Sequence, residues 1–367
     1  MTARSGYLNT TLRWRQTAVE LALRPTIFRD GTPCFRRGQR HDRKISIQLR
    51  SFSIREIRRQ NPNEVIDIAS WTADEDFPIY PIGSKPKQLV ISPQECSLDF
   101  VVPGQGYLFK QALGWQAQQM WCEVIAYELS HLVGVDVPPA LVAVDGTNGQ
   151  TGALIKLFYP YPEASRTTRL AHAADYMQKN FADGKKGRPH ALRENLVICR
   201  LLGVEEPLRW WARALVFDTL IGNTDRHSEN WGFLIEPKGE NPRFSLAPLY
   251  DNGTSLGYGT SEAKLGEPWT NSRMATYIAR GTHDIGWSKN EDGPTPHIAL
   301  CERFFGANRD LLELAASMLA FTDGAVEEIV DWATQFDVPV LFSSHRGRFI
   351  VRQLGARRDK LKEALGL

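Results

Sequence analysis

Asp225, Asn230 and Asp251 are the residues whose types and spacing could do chemistry together. An apolar helical run from Trp210 to Leu220 leads into the polar knot Gly222-Asn223-Thr224-Asp225-Arg226-His227-Ser228-Glu229-Asn230. A strand-like run to Ile235 follows, then a turn, then a second strand-like run, Phe244 to Tyr250, that ends on Asp251. This order predicts all three polar residues at element ends, where their oxygens can converge. Phosphoryl transfer asks little more of a protein: a carboxylate to orient a hydroxyl and accept its proton, and oxygen ligands to hold magnesium against a triphosphate. Other chemistries lack their parts. The chain has no HExxH helix, no Walker loop and no GxGxxG after a strand. Asp225 with His227 could begin a hydrolytic metal site, which would require a fuller set of His or carboxylate ligands.

The elements that must position these residues fall into two patterns. In residues 71–160, short β-rich runs at 88–91, 98–102, 106–110, 141–144 and 153–158 surround one helix. Trp121, Ile125, Leu129 and Leu132 mark its face, and Gly134 with Pro138-Pro139 ends it. In residues 161–367 the strand signal nearly vanishes and helical periodicity appears at 190–202, 207–222, 308–320, 323–335 and 345–364. The stretches 177–192 and 256–300 read as long loops. The expected fold class is α+β, with a β-rich lobe followed by a helical lobe.

Residues 1–70 are set apart by a basic run that includes Arg36, Arg37, Arg40, Arg43 and Lys44. It reads as a solvated face or leader, with contact to a phosphate-rich or acidic partner as the alternative. Without a zinc-finger or basic-zipper signature, and with a net charge of +2, direct nucleic-acid binding is not expected. The chain is 42% hydrophobic and 23% charged, the composition of a folded globular protein. Its five cysteines are scattered, which argues against a disulfide framework or a zinc site. No run approaches the roughly 18 apolar residues of a membrane span, and no signal peptide follows Met1, so a reducing cytoplasm is the expected location.

The string Gly222-Asn223-Thr224-Asp225-Arg226-His227-x-x-Asn230, followed by Leu246-Ala247-Pro248-Leu249-Tyr250-Asp251, resembles the active site of the HipA-like serine/threonine kinases, which are bacterial toxin kinases. They are distantly similar to phosphatidylinositol 3- and 4-kinases. The likeness is specific within 213–257, weaker in 80–158 and absent from the first 70 residues. It implies a two-lobed protein-kinase-like fold with ATP between the lobes. Asp225 would be the catalytic aspartate, Asn230 and Asp251 would hold Mg2+, and His227 would brace the loop or serve as an ordinary structural histidine. The tripeptide here is Asp-Asn-Gly, so the packing switch of the phenylalanine in other kinases cannot be assumed.

The resemblance also reaches the smaller lobe. Lys110, at the end of Tyr107-Leu108-Phe109-Lys110, matches the ATP lysine. Glu123 is its natural partner by position, while Glu128 lies closer to the apolar stripe of the helix; both stay open. Pro81 to Leu89 resembles a phosphate-covering loop, with Gly83 allowing close approach, Lys87 adding charge and Ser84 a candidate for autophosphorylation. Lys156 and Phe158 lead toward the hinge, where Phe158 or a neighbour would pack on adenine, although a core strand explains the same residue types. The expected function is an ATP- and Mg2+-dependent kinase acting on a serine or threonine of a protein, such as a translation component, with an antitoxin as a possible partner. An idle kinase-fold binding module in a toxin–antitoxin assembly, or a phosphoinositide kinase, is the alternative.

Overall fold

Alternation along Gly106–Gln111 sets the geometry of the smaller lobe. The computed structural model describes residues 58–74, 87–160, 168–181, 191–238, 241–289, 291 and 295–367. Within this range the first strands are β1 (Ile66–Asp67), β2 (Thr72–Ala73), β3 (Lys87–Ile91), β4 (Gly106–Gln111), β5 (Ala140–Asp145) and β6 (Gln150–Lys156). They form one sheet in the order β1-β5-β6-β4-β3-β2, antiparallel except for β1 beside β5. Successive side chains of a strand face opposite ways. Tyr107 and Phe109 therefore enter an outer core with Val90, Leu141 and Leu154, while Leu108 and Lys110 face a cleft.

Helix α1 (Gln119–Val133) packs against β5 and β6 and carries the sheet onto the rest of the molecule. All of its residues except His131 and Leu132 are buried. A helix buried nearly all round has no single apolar stripe, which is why periodicity could not choose between Glu123 and Glu128.

The larger lobe holds α2 (Ala173–Phe181), α3 (Leu192–Leu201), α4 (Pro207–Ile221), α5 (Glu262–Gly266), α6 (Asn271–Ala279), α7 (His297–Ala307), α8 (Leu312–Met318), α9 (Asp323–Ala333) and α10 (Ser344–Leu365). The long α10 contacts α4, α5, α6, α7 and α9. A second sheet, β7 (Arg169–His172), β8 (Gly232–Glu236) and β9 (Arg243–Leu246), is antiparallel throughout. Trp211 of α4 and Trp231, just before β8, are both fully buried with ring centroids 4.9 Å apart. That contact packs the first half of α4 against the segment that follows the polar knot. Among the described residues, no helix is long and apolar enough to cross a membrane.

Several expectations need correction. Residues 98–102 are a loop: Phe100 and Val101 are buried because the loop covers the outer face of the sheet. Its backbone is satisfied by side chains, with Val102 N donating to the Tyr107 hydroxyl at 2.9 Å and Ser92 Oγ donating to Val102 O at 2.7 Å. The strand expected to end on Asp251 stops at Leu246, because pairing with β8 ends where β8 begins. The larger lobe keeps a three-stranded sheet, and the stretch 256–300 contains α5, α6 and the start of α7. Sequence below residue 70 also joins the smaller lobe: β1 pairs with β5, and the Gln60 side chain exchanges hydrogen bonds of 2.7 and 2.8 Å with the backbone of Val142.

Gly152 marks a close approach in the sheet of the smaller lobe. A Cβ there would lie 2.5 Å from Lys110 O and 2.6 Å from the Phe109 ring. The nearer clash is with backbone, which cannot swing aside, so Gly152→Ala is expected to cost about 1–3 kcal/mol, the usual range for overpacking. Urea unfolding of the variant checks this.

Candidate active site

The polar knot begins where α4 ends. Gly222 takes a left-handed φ of 66° and its N–H reaches back to Asp218 O. A Cβ there would fall 2.8 Å from the Arg357 guanidinium, so glycine is required on two counts. Asn223 is buried; its amide donates to Asp218 Oδ1 at 3.1 Å and its oxygen accepts from Asp225 N at 3.0 Å. The turn presents the Asp225 carboxylate at a cavity wall.

A fully buried guanidinium holds this turn. Arg226 donates to both oxygens of Asp218 at 2.7 and 3.0 Å, to Asn230 O at 2.8 Å, to Asn252 Oδ1 at 2.6 Å and to Tyr250 O. One side chain thus ties α4, the turn and the segment after β9 together. Burial works against its charge, but Asp218, with smaller help from Asp251 and Tyr250, more than offsets it and raises its pKa.

Asp251 sits at φ 57°, a left-handed conformation that aspartate tolerates better than most residues. Its Oδ1 accepts from Lys110 Nζ at 3.0 Å. Lys110 Nζ also donates to Glu123 Oε1 at 2.7 Å, and Glu123 Oε2 accepts from Asn252 N at 2.9 Å. Glu123 therefore joins the sheet to the segment carrying Asp251. Glu128 is engaged elsewhere, with Arg59 Nε at 2.8 Å. Burial alone would lower the Lys110 pKa, but Asp251 and Glu123 more than offset it and hold the ammonium charged.

Asn230 donates its amide N–H to Asp225 O at 2.7 Å, which fixes which end of the carboxamide is the acceptor. Asp225 Oδ2 accepts from Thr254 Oγ1 at 3.3 Å, and the Gln119 amide reaches that same hydroxyl at 3.4 Å. Burial pushes the Asp225 carboxyl above its ordinary range; His227 opposes the shift and Asp251 adds to it. His227 Nε2 lies 3.8 Å from Asp225 Oδ1, and its Nδ1 accepts from Glu229 N at 3.2 Å. Bracing by His227 is thus a local contact at the cavity edge; the buried brace is Arg226.

These groups line a polar cavity of about 510 Å3 with Lys87, Lys110, Glu123, Asp225, His227, Asn230 and Asp251 on its walls. A smaller apolar recess of about 140 Å3 adjoins it through Lys87, Lys110, Asn230 and Asp251, and is walled by Leu108, Ile155, Leu157 and Phe158. Lys87 stands directly across from Lys110 in the β3–β4 register, and Lys156 lines the recess. Phe158 stacks on Tyr250, with centroids 5.5 Å apart. Gly83 and Ser84 lie outside the described residues.

The structure therefore brings Asp225, His227, Asn230, Asp251, Lys110, Glu123, Lys87, Lys156 and Phe158 to one two-part cleft. Sequence reasoning gave no role to Asp218, Arg226, Asn252 or Thr254. Asp218 had one available signal, a carboxylate inside the apolar run Ala214 to Ile221, where a charge needs a buried partner.

The family model described as HipA-like C-terminal domain matches residues 83–330. The kinase-named protein Y4dM of Sinorhizobium fredii is 33% identical over 145 residues, which cover 35% of this chain and 32% of that protein. The chain thus matches about a third of that relative's length. The crystal structure of the Helicobacter pylori proinflammatory kinase CtkA aligns with a TM-score of 0.61 over 83% of this chain and 99% of CtkA, at 18% identity. Shewanella oneidensis HipA, solved with HipB and operator DNA, aligns with a TM-score of 0.43 over 79% of this chain and 67% of that one, at 16% identity. The family match spans well over half of the sequence, the CtkA likeness gives the two-lobed kinase-like fold, and this chain belongs to the HipA-like kinase family.

Proposed function

We propose that the chain is an ATP- and Mg2+-dependent kinase that phosphorylates a serine or threonine hydroxyl of a protein. The observation that carries this reading is the convergence of Lys110, Glu123 and Asp251 in one ion-paired cluster, on a cleft that also holds Asp225 and Asn230. Its donor set suits magnesium. Asp251 and Asn230 offer hard oxygen ligands, and among the described residues no group of three or more His, Cys, Asp or Glu forms a closed protein cage. Magnesium is commonly held by one or two carboxylates, with phosphate and water completing its shell. When bound, it would neutralise charge on the transferring phosphate.

The protein's own residues supply the remainder. Glu123 holds the Lys110 ammonium against the cleft, where it would meet phosphate oxygens as a point charge. Leu108, Ile155, Leu157 and Phe158 offer adenine an apolar recess. Asp225 would orient the acceptor hydroxyl and take its proton, and the upward shift from burial makes it a better base. Incubation with labelled ATP and a lysate tests the reading: labelled phosphoserine or phosphothreonine should form with magnesium and not with EDTA. Label transfer that ignores EDTA counts against it.

Lys110→Met is expected to weaken magnesium–ATP-analogue binding by about 10- to 100-fold, the worth of one hydrogen bond to a charged group. Titration calorimetry checks this. A toxin role, a translation component as substrate and an antitoxin partner are proposals that rest on family membership.

A further inference from the structure

The connection between β4 and α1 carries a feature that the proposed phosphate chemistry does not use. Trp115 is 73% exposed and its neighbour Leu113 is 42% exposed. These are two of the five large apolar side chains exposed among the described residues, and they stand in one short turn. Free tryptophan surface of this extent is unusual, because its large ring normally finds cover. Trp115 stacks on Tyr258, with centroids 5.9 Å apart and planes at 29°. Leu113, Gln116 and Tyr258 line the same cavity as Asp225. The ledge is built from both sides of the cleft, since Trp115 follows the strand of Lys110 and Tyr258 follows Asp251.

The wall that Tyr258 shares also reaches the chemistry. Gln119 lines the same cavity as Tyr258, its amide reaches Thr254 Oγ1 at 3.4 Å, and that hydroxyl donates to Asp225 Oδ2 at 3.3 Å. The ledge side of the cavity carries Leu113, Gln116, Gln119, Thr224, Thr254 and Tyr258, while His227 and Glu229 line the cavity on the other side of Asp225 in the chain. The lysines of the cavity, Lys87 and Lys110, sit on the sheet side. Among the described residues, an anionic lipid headgroup would find no lysine or arginine on this ledge, whereas an apolar side chain would find two rings and a leucine, with Gln116 and Gln119 on the same cavity wall.

We propose that this ledge is the acceptor subsite, and that its occupant is a polypeptide bearing an apolar or aromatic side chain close to the hydroxyl presented to Asp225. The assignment rests on the kinase reading above and adds the class of acceptor. Its basis is the continuity of the exposed Trp115–Tyr258 surface with the Asp225 cavity, together with the charge of the lining.

The test is affinity selection by the immobilised full chain, with magnesium and a non-hydrolysable ATP analogue, from a peptide library that has a central serine and randomised flanks. Wild type should enrich Leu, Ile, Phe, Met or Trp at flanking positions. Trp115→Ala should lose about tenfold of that enrichment, the worth of burying one apolar side chain. Trp115→Phe should recover it. Selection without apolar preference, or preference that survives in Trp115→Ala, overturns the subsite. So does Trp115-dependent sedimentation with phosphatidylinositol-phosphate vesicles when no peptide is selected, which would mark a lipid face. Label transfer to protein without enrichment sinks the subsite and leaves the kinase reading standing. Enrichment without any transfer keeps the ledge as a peptide surface and sinks the kinase reading instead.

Discussion

Asp225→Asn is expected to lower phosphate transfer by about 10³-fold, within the range for loss of a positioned general base, while leaving the fold intact. The substitution is nearly isosteric and touches little else. The bonds that shape the turn go to the Asp225 backbone: its N–H to Asn223 Oδ1 at 3.0 Å and its carbonyl from Asn230 Nδ2 at 2.7 Å. Only the carboxylate changes. Burial raises its pKa in the folded chain above the ordinary 3.8. The fold therefore favours the protonated form, and this contribution to stability is complete below 3.8 and lost as pH rises through the folded value. At pH 7 the ionised Asp225 is thus a burden on stability, so Asp225→Asn should be at least as stable as wild type. The difference should shrink as pH falls toward 4. Initial rates with labelled ATP and urea midpoints at the two pH values check both halves. Equal rates for the two proteins would remove Asp225 from the proposed role; a variant much less stable at pH 7 would mean that the carboxylate holds the turn.

Such a pairing of lost activity with retained stability is expected of functional residues, and it bears on what could be read from the sequence. Asp225, Asn230 and Asp251 were legible because they lie within 27 positions of one another and because their chemistry restricts the residue types. The helices at Pro207–Ile221, Asp323–Ala333 and Ser344–Leu365 were legible within a residue or two from apolar periodicity. What was hidden depends on contacts distant in sequence. The choice of Glu123 over Glu128 is made by Lys110 on one side and Arg59 on the other. Phe100 and Val101 are as apolar as strand residues, but they cap a sheet face without joining it. The strand Arg169–His172 carries few β-branched or aromatic residues and exists because β8 offers it an edge. The ledge was invisible for the same reason: no local pattern pairs Trp115 with Tyr258 across 143 positions.

Arg226→Met is expected to be the most destabilising of the substitutions considered, by about 3–5 kcal/mol, the usual result of stripping one partner from a buried ion pair. Methionine fills much of the volume but none of the hydrogen bonding. Asp218, fully buried, would keep only the Asn223 amide at 3.1 Å. Asn230 O, Tyr250 O and Asn252 Oδ1 would each lose a charged donor. Most of the loss should come from the stranded anion, so adding Asp218→Asn to Arg226→Met should recover part of it, since a neutral amide costs less to bury than a carboxylate. Urea unfolding of wild type, the single variant and the double variant separates these contributions. Transfer activity should not return with stability in the double variant. The guanidinium is what fixes the carbonyl of Asn230 and the segment around Asp251 relative to α4, and neither substitution restores that link. If the double variant regained both stability and activity, the residues proposed to hold magnesium would have to be positioned by something other than Arg226, and the buried pair would reduce to a packing feature of α4.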